Sequence, residues 1–195
     1  MKVAIIGAGF TGLAAGLKLL EAGHQITIFE KNSLPGGLAL GFKDSKWQWN
    51  LEKHYHHWFT NDNKVLSLAK KIKYPVIIKR PKTSVYINDE TYKLDSPIDI
   101  LKFSKLNFAE RIRMGLTIGI LKYNPFWKPL ERYKTSIFLP KMMGKKPYEI
   151  LWKPLLIKKF GSFAKDISLA WFWARIVKRT PSLVYPEGGF LKFAN

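Results

Sequence analysis

The sequence predicts an α/β fold on three observations. An apolar stretch at residues 2–6 runs into Gly7-Ala8-Gly9-Phe10-Thr11-Gly12, a helix-like pattern follows, and a second apolar stretch closes on the acidic Glu30. Strand, glycine turn, helix and strand in this order make a Rossmann-type dinucleotide-binding unit. Beyond it the pattern becomes a mostly helical α+β lobe. The expected divisions are 1–59 for the opening of the nucleotide domain, 60–180 for an inserted lobe and 181–195 for the start of a return to the first domain.

The first element reads as a buried strand over residues 2–6. A helix follows over 12–22, with Leu13, Leu17 and Leu20 at helical spacing and Gly23 as its stop. A second strand covers 25–30, and Asn32, Ser33, Pro35, Gly36 and Gly37 end it as turn residues. Asn61 or Asp62 can cap a helix bearing Val65, Leu66, Ala69 and Ile72 on one face. Residues 76–78 read as a strand and 85–94 as a hairpin about Asn88-Asp89. Asn107 and Glu110 begin a capping-box helix that runs to about Leu121. From Thr135 the pattern is helical, interrupted at Pro140, at 144–147 and at Gly161, with an aromatic helix over 169–176.

In the glycine turn each position does something a larger residue could not. Gly7 permits the tight turn, Gly9 lets the backbone approach a pyrophosphate, and Gly12 allows close helix–strand packing. The helix that starts there aims free N–H groups and the positive end of its dipole at phosphate. Glu30 lies eighteen residues past Gly12. It is placed to accept ribose hydroxyls and to repel a 2′-phosphate, which argues against NADP.

Composition narrows the classes further. The chain lacks cysteine, which excludes disulfide scaffolds, thiolate metal sites and cysteine nucleophiles, and fits a cytoplasmic enzyme. Its 33 Lys+Arg against 14 Asp+Glu give +19; residues 1–40 hold three Lys and two Glu, so +18 falls on 41–195. Such a basic body can attract anionic lipid, nucleic acid or phosphorylated substrates, but a Lys-rich solvated surface is the simpler account, because no dense basic run appears. Lys128, Arg132, Lys141, Lys145 and Lys146 are read as such a surface. No nucleic-acid partner is expected, peripheral contact with the inner membrane face is permitted, and the oligomeric state is left open. Strand residues follow Met1 at once, leaving no room for the parts of a signal peptide. Residues 114–121 fall far short of the ~20 that a membrane-spanning helix needs.

The stretch from Glu30 and Lys31 through Gly36-Gly37-Leu38-Ala39 resembles the FAD-binding opening of the amine oxidase superfamily, which includes monoamine oxidases, protoporphyrinogen oxidases and carotenoid desaturases. The resemblance implies FAD as cofactor, with Gly36, Gly37, Leu38 and Ala39 running along its pyrophosphate and ring side. Many members have Arg where this chain has Leu38. Residues 52–62, which include His54, His56 and His57, are similar to bacterial protoporphyrinogen-oxidase-like members and to UDP-galactopyranose mutases. Both similarities imply that His56 and His57 lie near the isoalloxazine ring. Trp171-Phe172-Trp173-Ala174-Arg175 and Tyr185-Pro186-Glu187-Gly188-Gly189-Phe190 are similar to the same bacterial subgroup. Its members run well past this length, so the chain is expected to be incomplete.

His54, His56 and His57 do not have the four-residue spacing of a helix-borne metal pair, and no metal is expected. They line a wall through backbone hydrogen bonds, or they face flavin, where His56 or His57 steers charge or moves a proton. Trp171, Phe172 and Trp173 read as core more readily than as the wall of a substrate tunnel. The expected function is FAD-dependent hydride transfer from a C–N or C–C bond of a small-molecule substrate. A UDP-galactopyranose-mutase-like isomerase and a non-catalytic nucleotide-binding module are the alternatives.

Overall fold

Apolar residues at alternate positions bring β1 (Lys2–Ile6) beside β2 (Gln25–Phe29) in a computed structural model that describes residues 1–195. The two strands are parallel, with Lys2 opposite Gln25 and Ile6 opposite Phe29. The crossover is α1 (Phe10–Glu21), which starts two residues before the expected point. It packs closely because Gly16 has no side chain: a Cβ there would lie 3.1 Å from Ile28 Cδ1 and 3.4 Å from Ile5 Cδ1. Gly23, at φ +82°, turns the chain out of the helix.

The expectation of a buried strand at 2–6 is corrected. Val3 and Ile5 are half-buried beneath α1, but Ile6 is 93% exposed and Phe29 58%. A two-stranded sheet with one helix has one covered face, so alternate side chains stay in solvent. Leu20, expected on the apolar face of α1, is also exposed.

After a 3-10 turn at Gly37–Ala39, β3 (Gly41–Phe42) pairs antiparallel with β4 (Leu51–Glu52). Next come β5 (Trp58–Phe59), α2 (Asn63–Lys71) and β6 (Val76–Lys79). Asp62 precedes α2 and accepts from the Phe59 N–H at 2.7 Å, closing the turn into the helix.

Residues 81–181 form a second compact unit. Its hairpin, β7 (Ser84–Ile87) and β8 (Glu90–Lys93), turns on Asn88 at φ +50° and Asp89 at φ +62°, the paired left-handed residues of a tight hairpin turn. Ser96 caps α3 (Pro97–Lys102) through the Asp99 N–H. Asn107 and Glu110 form a reciprocal capping box at the start of α4 (Phe108–Tyr123). Then follow α5 (Thr135–Met143), α6 (Lys145–Pro147), a π turn at Tyr148–Trp152, α7 (Lys153–Phe160) and α8 (Leu169–Val177). Pro140, expected to interrupt the helix, lies within α5, which ends at Gly144 with φ +100°. The core gathers Phe103, Leu106, Met114, Leu139, Leu156 and Phe172. The aromatic run serves packing: Phe172 and Trp173 are buried, and Trp152 meets Phe172 edge-on at 4.7 Å.

The chain then returns to the first unit, residues 1–80 with 182–195. β9 (Leu183–Pro186) enters between β5 and β6, antiparallel to both, with Val184 opposite Trp58 and Ile78. A final short helix, α9 (Phe190–Ala194), follows. Because β6 pairs with β9, residues 60–80 group with the first unit rather than with the lobe in which the sequence pattern puts them.

Candidate nucleotide-binding site

Two glycine turns meet in the first unit. Gly7, at φ +97°, leaves β1 while its N–H bonds to Phe29 O at 2.7 Å, so the turn sits over the end of β2. A Cβ on Gly12 would stand 2.0 Å from Gly7 O, so only glycine lets α1 begin this close to the turn. The second turn runs alongside. Gly9 bridges Gly36 in parallel fashion, the Gly36 N–H donates to Ala8 O at 2.8 Å, and a Cβ on Gly37 would lie 3.1 Å from Gly9 Cα. No side chain caps α1 at Gly9 and no acid lies in its first turn. The first N–H groups of the helix thus keep the positive end of its dipole available to an anion.

Glu30 closes this arrangement. Its carboxylate accepts from the Ala8 N–H at 2.7 Å, the Asn32 N–H at 2.9 Å and Asn32 Nδ2 at 2.9 Å. The backbone N–H groups of Asn32 and then Ala8 hold its carboxyl below the ordinary range, so it is ionised at neutral pH. A carboxylate has about four acceptor positions, and Oε2, which takes the Ala8 N–H, faces the turn where a hydroxyl could join it. Sequence spacing points Glu30 at a ribose but gives no sign that it also ties down the glycine turn.

The other expected residues divide. Ala8 and Ala39 are buried beside the two turns; Thr11, Lys31 and Leu38 are exposed. Phe10 packs inward, its ring 5.8 Å from Phe193 and 6.1 Å from Phe190. It serves the core of the unit through its side chain, whatever its amide offers. His56 directs Nδ1 to His54 O and lies 5.8 Å from the Phe190 ring. His57 packs 4.9 Å from Tyr55 and edge-on to Phe59 at 4.8 Å. Both imidazoles are half-buried in an aromatic wall. An apolar hollow of about 560 Å³ lies elsewhere in the unit, between Leu13 and Leu17 of α1, Val65 and Leu68 of α2, and Phe193.

Glu52 carries a role that sequence reasoning misses. It is buried, its Oε2 accepts from the Tyr185 hydroxyl, and its Oε1 accepts from the Phe190 N–H at 3.1 Å. Gly189 lies so close that a Cβ would come 3.5 Å from the same oxygen and 2.9 Å from Asn50 O. One carboxylate therefore fastens β9 and α9 to β4. Burial, and then the Glu52 carboxylate, push the Tyr185 hydroxyl above the usual tyrosine range.

Comparison with known proteins agrees with this geometry. Residues 5–72 match the family described as NAD(P)-binding Rossmann-like domain. The chain is 28% identical over 132 residues to a probable zeta-carotene desaturase of Synechococcus elongatus, covering 61% of this chain and 27% of that protein. It is 56% identical over 43 residues to a 4,4'-diapophytoene desaturase (4,4'-diaponeurosporene-forming) of Staphylococcus haemolyticus, covering 22% and 9%. Among solved structures, a reduced UDP-galactopyranose mutase superposes with a TM-score of 0.69 at 17% identity, over 99% of this chain and 45% of that one. The matched stretches thus span about a quarter or less of these curated relatives and less than half of the solved chain. With its two interlocked glycine turns and the acid at the end of β2, the segment 5–72 matches an NAD(P)-binding Rossmann-like domain, and the chain shares its fold with part of the solved mutase.

Proposed function

We propose that the first unit holds the adenosine diphosphate half of FAD in a flavin-dependent oxidoreductase that desaturates a C–C bond. One carbon gives a hydride from its C–H bond to flavin, and its neighbour gives up a proton. The observation that carries this is the contact of the two glycine turns at Gly9, Gly36 and Gly37, fixed by Glu30 through Ala8. It brings bare backbone, the start of α1 and a fixed anion together, as pyrophosphate followed by ribose requires. The choice of C–C over C–N rests on the two curated relatives, both desaturases by name.

In this reading the backbone at Gly9 and the first turn of α1 receive the pyrophosphate, and Glu30 Oε2 accepts a ribose hydroxyl. Gly36 and Gly37 let the chain pass beside the phosphates without a side chain in the way. The bound flavin supplies the hydride acceptor. His56 and His57 shape the wall beside the reacting groups, with an imidazole nitrogen available to hold or pass a proton.

The test is ligand-dependent melting of the full chain with FAD, ADP and 2′,5′-ADP. FAD and ADP each raise the melting temperature, in line with the ~2.7 kcal/mol gained at a hundredfold excess over Kd, and 2′,5′-ADP does not. No response to FAD or ADP, or an equal response to 2′,5′-ADP, removes the reading. His57→Gln then separates the histidine role: flavin binding is retained while turnover with the bound cofactor falls.

A further inference from the structure

We infer that α4, in the second unit, is an interfacial helix that lies flat on an anionic lipid bilayer. The helix presents one face to the unit's core, where Met114, Thr117 and Leu121 are buried. On the opposite side Phe108, Ile112, Leu116 and Ile120 recur every fourth residue, and Tyr123 falls on the same face. All five are exposed, Leu116 at 62%, Ile120 at 61% and Tyr123 at 83%. Ala109 is exposed beside them, and Gly115 and Gly119 have nothing within 4 Å of an added Cβ. A continuous apolar face three to four turns long therefore has no cover within its unit. Phe126, just past the helix, is another exposed aromatic ring.

Charge selects the occupant. Four of the eight acids of this unit lie in residues 89–99, whereas residues 100–181 hold 18 Lys+Arg against 4 Asp+Glu, a net +14. Basic groups flank the apolar face on both sides. Arg113 is held by Met142 O at 2.7 Å and by Lys141 O, beside the exposed Lys141, Lys145 and Lys146. Arg111 is held by Leu106 O at 2.7 Å and Leu101 O at 2.8 Å, on the same edge of the helix as Lys122. Carbonyl partners fix these guanidinium groups without neutralising them. The single acid of α4, Glu110, is engaged in the capping box and 3.8 Å from Lys146. A second copy of the chain would bring two such fields together and be repelled. Anionic headgroups would be attracted while the aromatic and aliphatic side chains enter the acyl boundary. The helix lies in the plane, since no helix is long and apolar enough to cross a membrane.

The experiment is co-sedimentation of the full chain with vesicles of phosphatidylcholine alone and of an equimolar phosphatidylcholine and phosphatidylglycerol mixture, at low and high salt. The chain binds the mixed vesicles, binds the neutral ones at least about tenfold more weakly, and is released as salt shortens the screening length. Leu116→Ser with Ile120→Ser lowers partitioning about tenfold or more, because each side chain gives up its transfer into the acyl region. Leu20→Ser with Ile78→Ser, equally exposed in the first unit, leaves it unchanged. Melting curves establish that both pairs fold. Equal binding to neutral vesicles, or equal binding by both serine pairs, overturns the inference. So does a concentration-dependent dimer dissolved by Leu116→Ser with Ile120→Ser, which would assign the face to a second copy.

Discussion

Glu52 is the one carboxylate among the buried residues, and it keeps its place because two donors meet it. A buried carboxylate without partners carries a large desolvation cost; with the Tyr185 hydroxyl and the Phe190 N–H it becomes a clasp. The clasp has a pH signature on the tyrosine side. Burial and the adjacent carboxylate raise Tyr185 above its ordinary value of 10.0. As pH rises, the unfolded chain loses that proton first, so the contribution is complete below pH 10 and is lost as pH climbs toward the folded value. Tyr74 and Tyr148 are raised by burial as well and act in the same direction. Melting temperature is therefore expected to drop more steeply above about pH 10 in the parent than in Tyr185→Phe, with a residual slope left by the other two. Parallel slopes in thermal melts taken from neutral to alkaline pH would show that Tyr185 titrates alike in both states.

At the scale of elements, two helices of this chain give glycine opposite meanings. In α1 a Cβ on Gly12 would stand 2.0 Å from Gly7 O, backbone that cannot move without opening the turn. In α4 a Cβ on Gly119 meets nothing within 4 Å. Gly12→Ala is expected to destabilise by about 1–3 kcal/mol or more through overpacking and to weaken nucleotide binding with it. Gly119→Ala is expected to stabilise by about 0.5–1 kcal/mol by lowering the entropy lost on folding. Urea unfolding of the two variants measures both, and a shared sign would refute the contrast. The same distinction explains what was legible in the sequence. The glycine turn, α1, the hairpin at Asn88-Asp89 and the Asn107–Glu110 box are built from neighbours in the chain, so local spacing reveals them. Glu52 left no such trace, since its partners lie 133 and 138 residues away. Nor did the placement of β6, which depends on β9, or the exposed face of β1, which depends on how many layers cover a sheet.

The whole molecule has two interiors of unequal depth. The helical unit buries Phe103, Leu106, Met114, Leu139, Met143, Leu156, Leu169 and Phe172 in one cluster. The nucleotide unit is built from small sheets, among them the parallel β1-β2 pair, covered on one face with Ile6 and Phe29 in solvent, and the three-stranded β5-β9-β6 sheet. Its aromatic packing gathers about Phe190 and Phe193. Buried apolar area is the main term favouring the folded state, so the units are expected to open at different free energies. Hydrogen exchange on the full chain should show β1 and β2 amides exchanging through a lower-energy opening than those of α4 and α8. Nucleotide adds a second discriminator. A ligand that binds between the glycine turns stabilises only the states in which those turns are formed. Saturating ADP is therefore expected to slow exchange in β1, α1 and β2 by about a hundredfold at a hundredfold excess over Kd, and to leave α8 unchanged. Equal protection gained in α8 would mean that the two units unfold as one cooperative body, and the division into separate cores would then be geometric without being energetic.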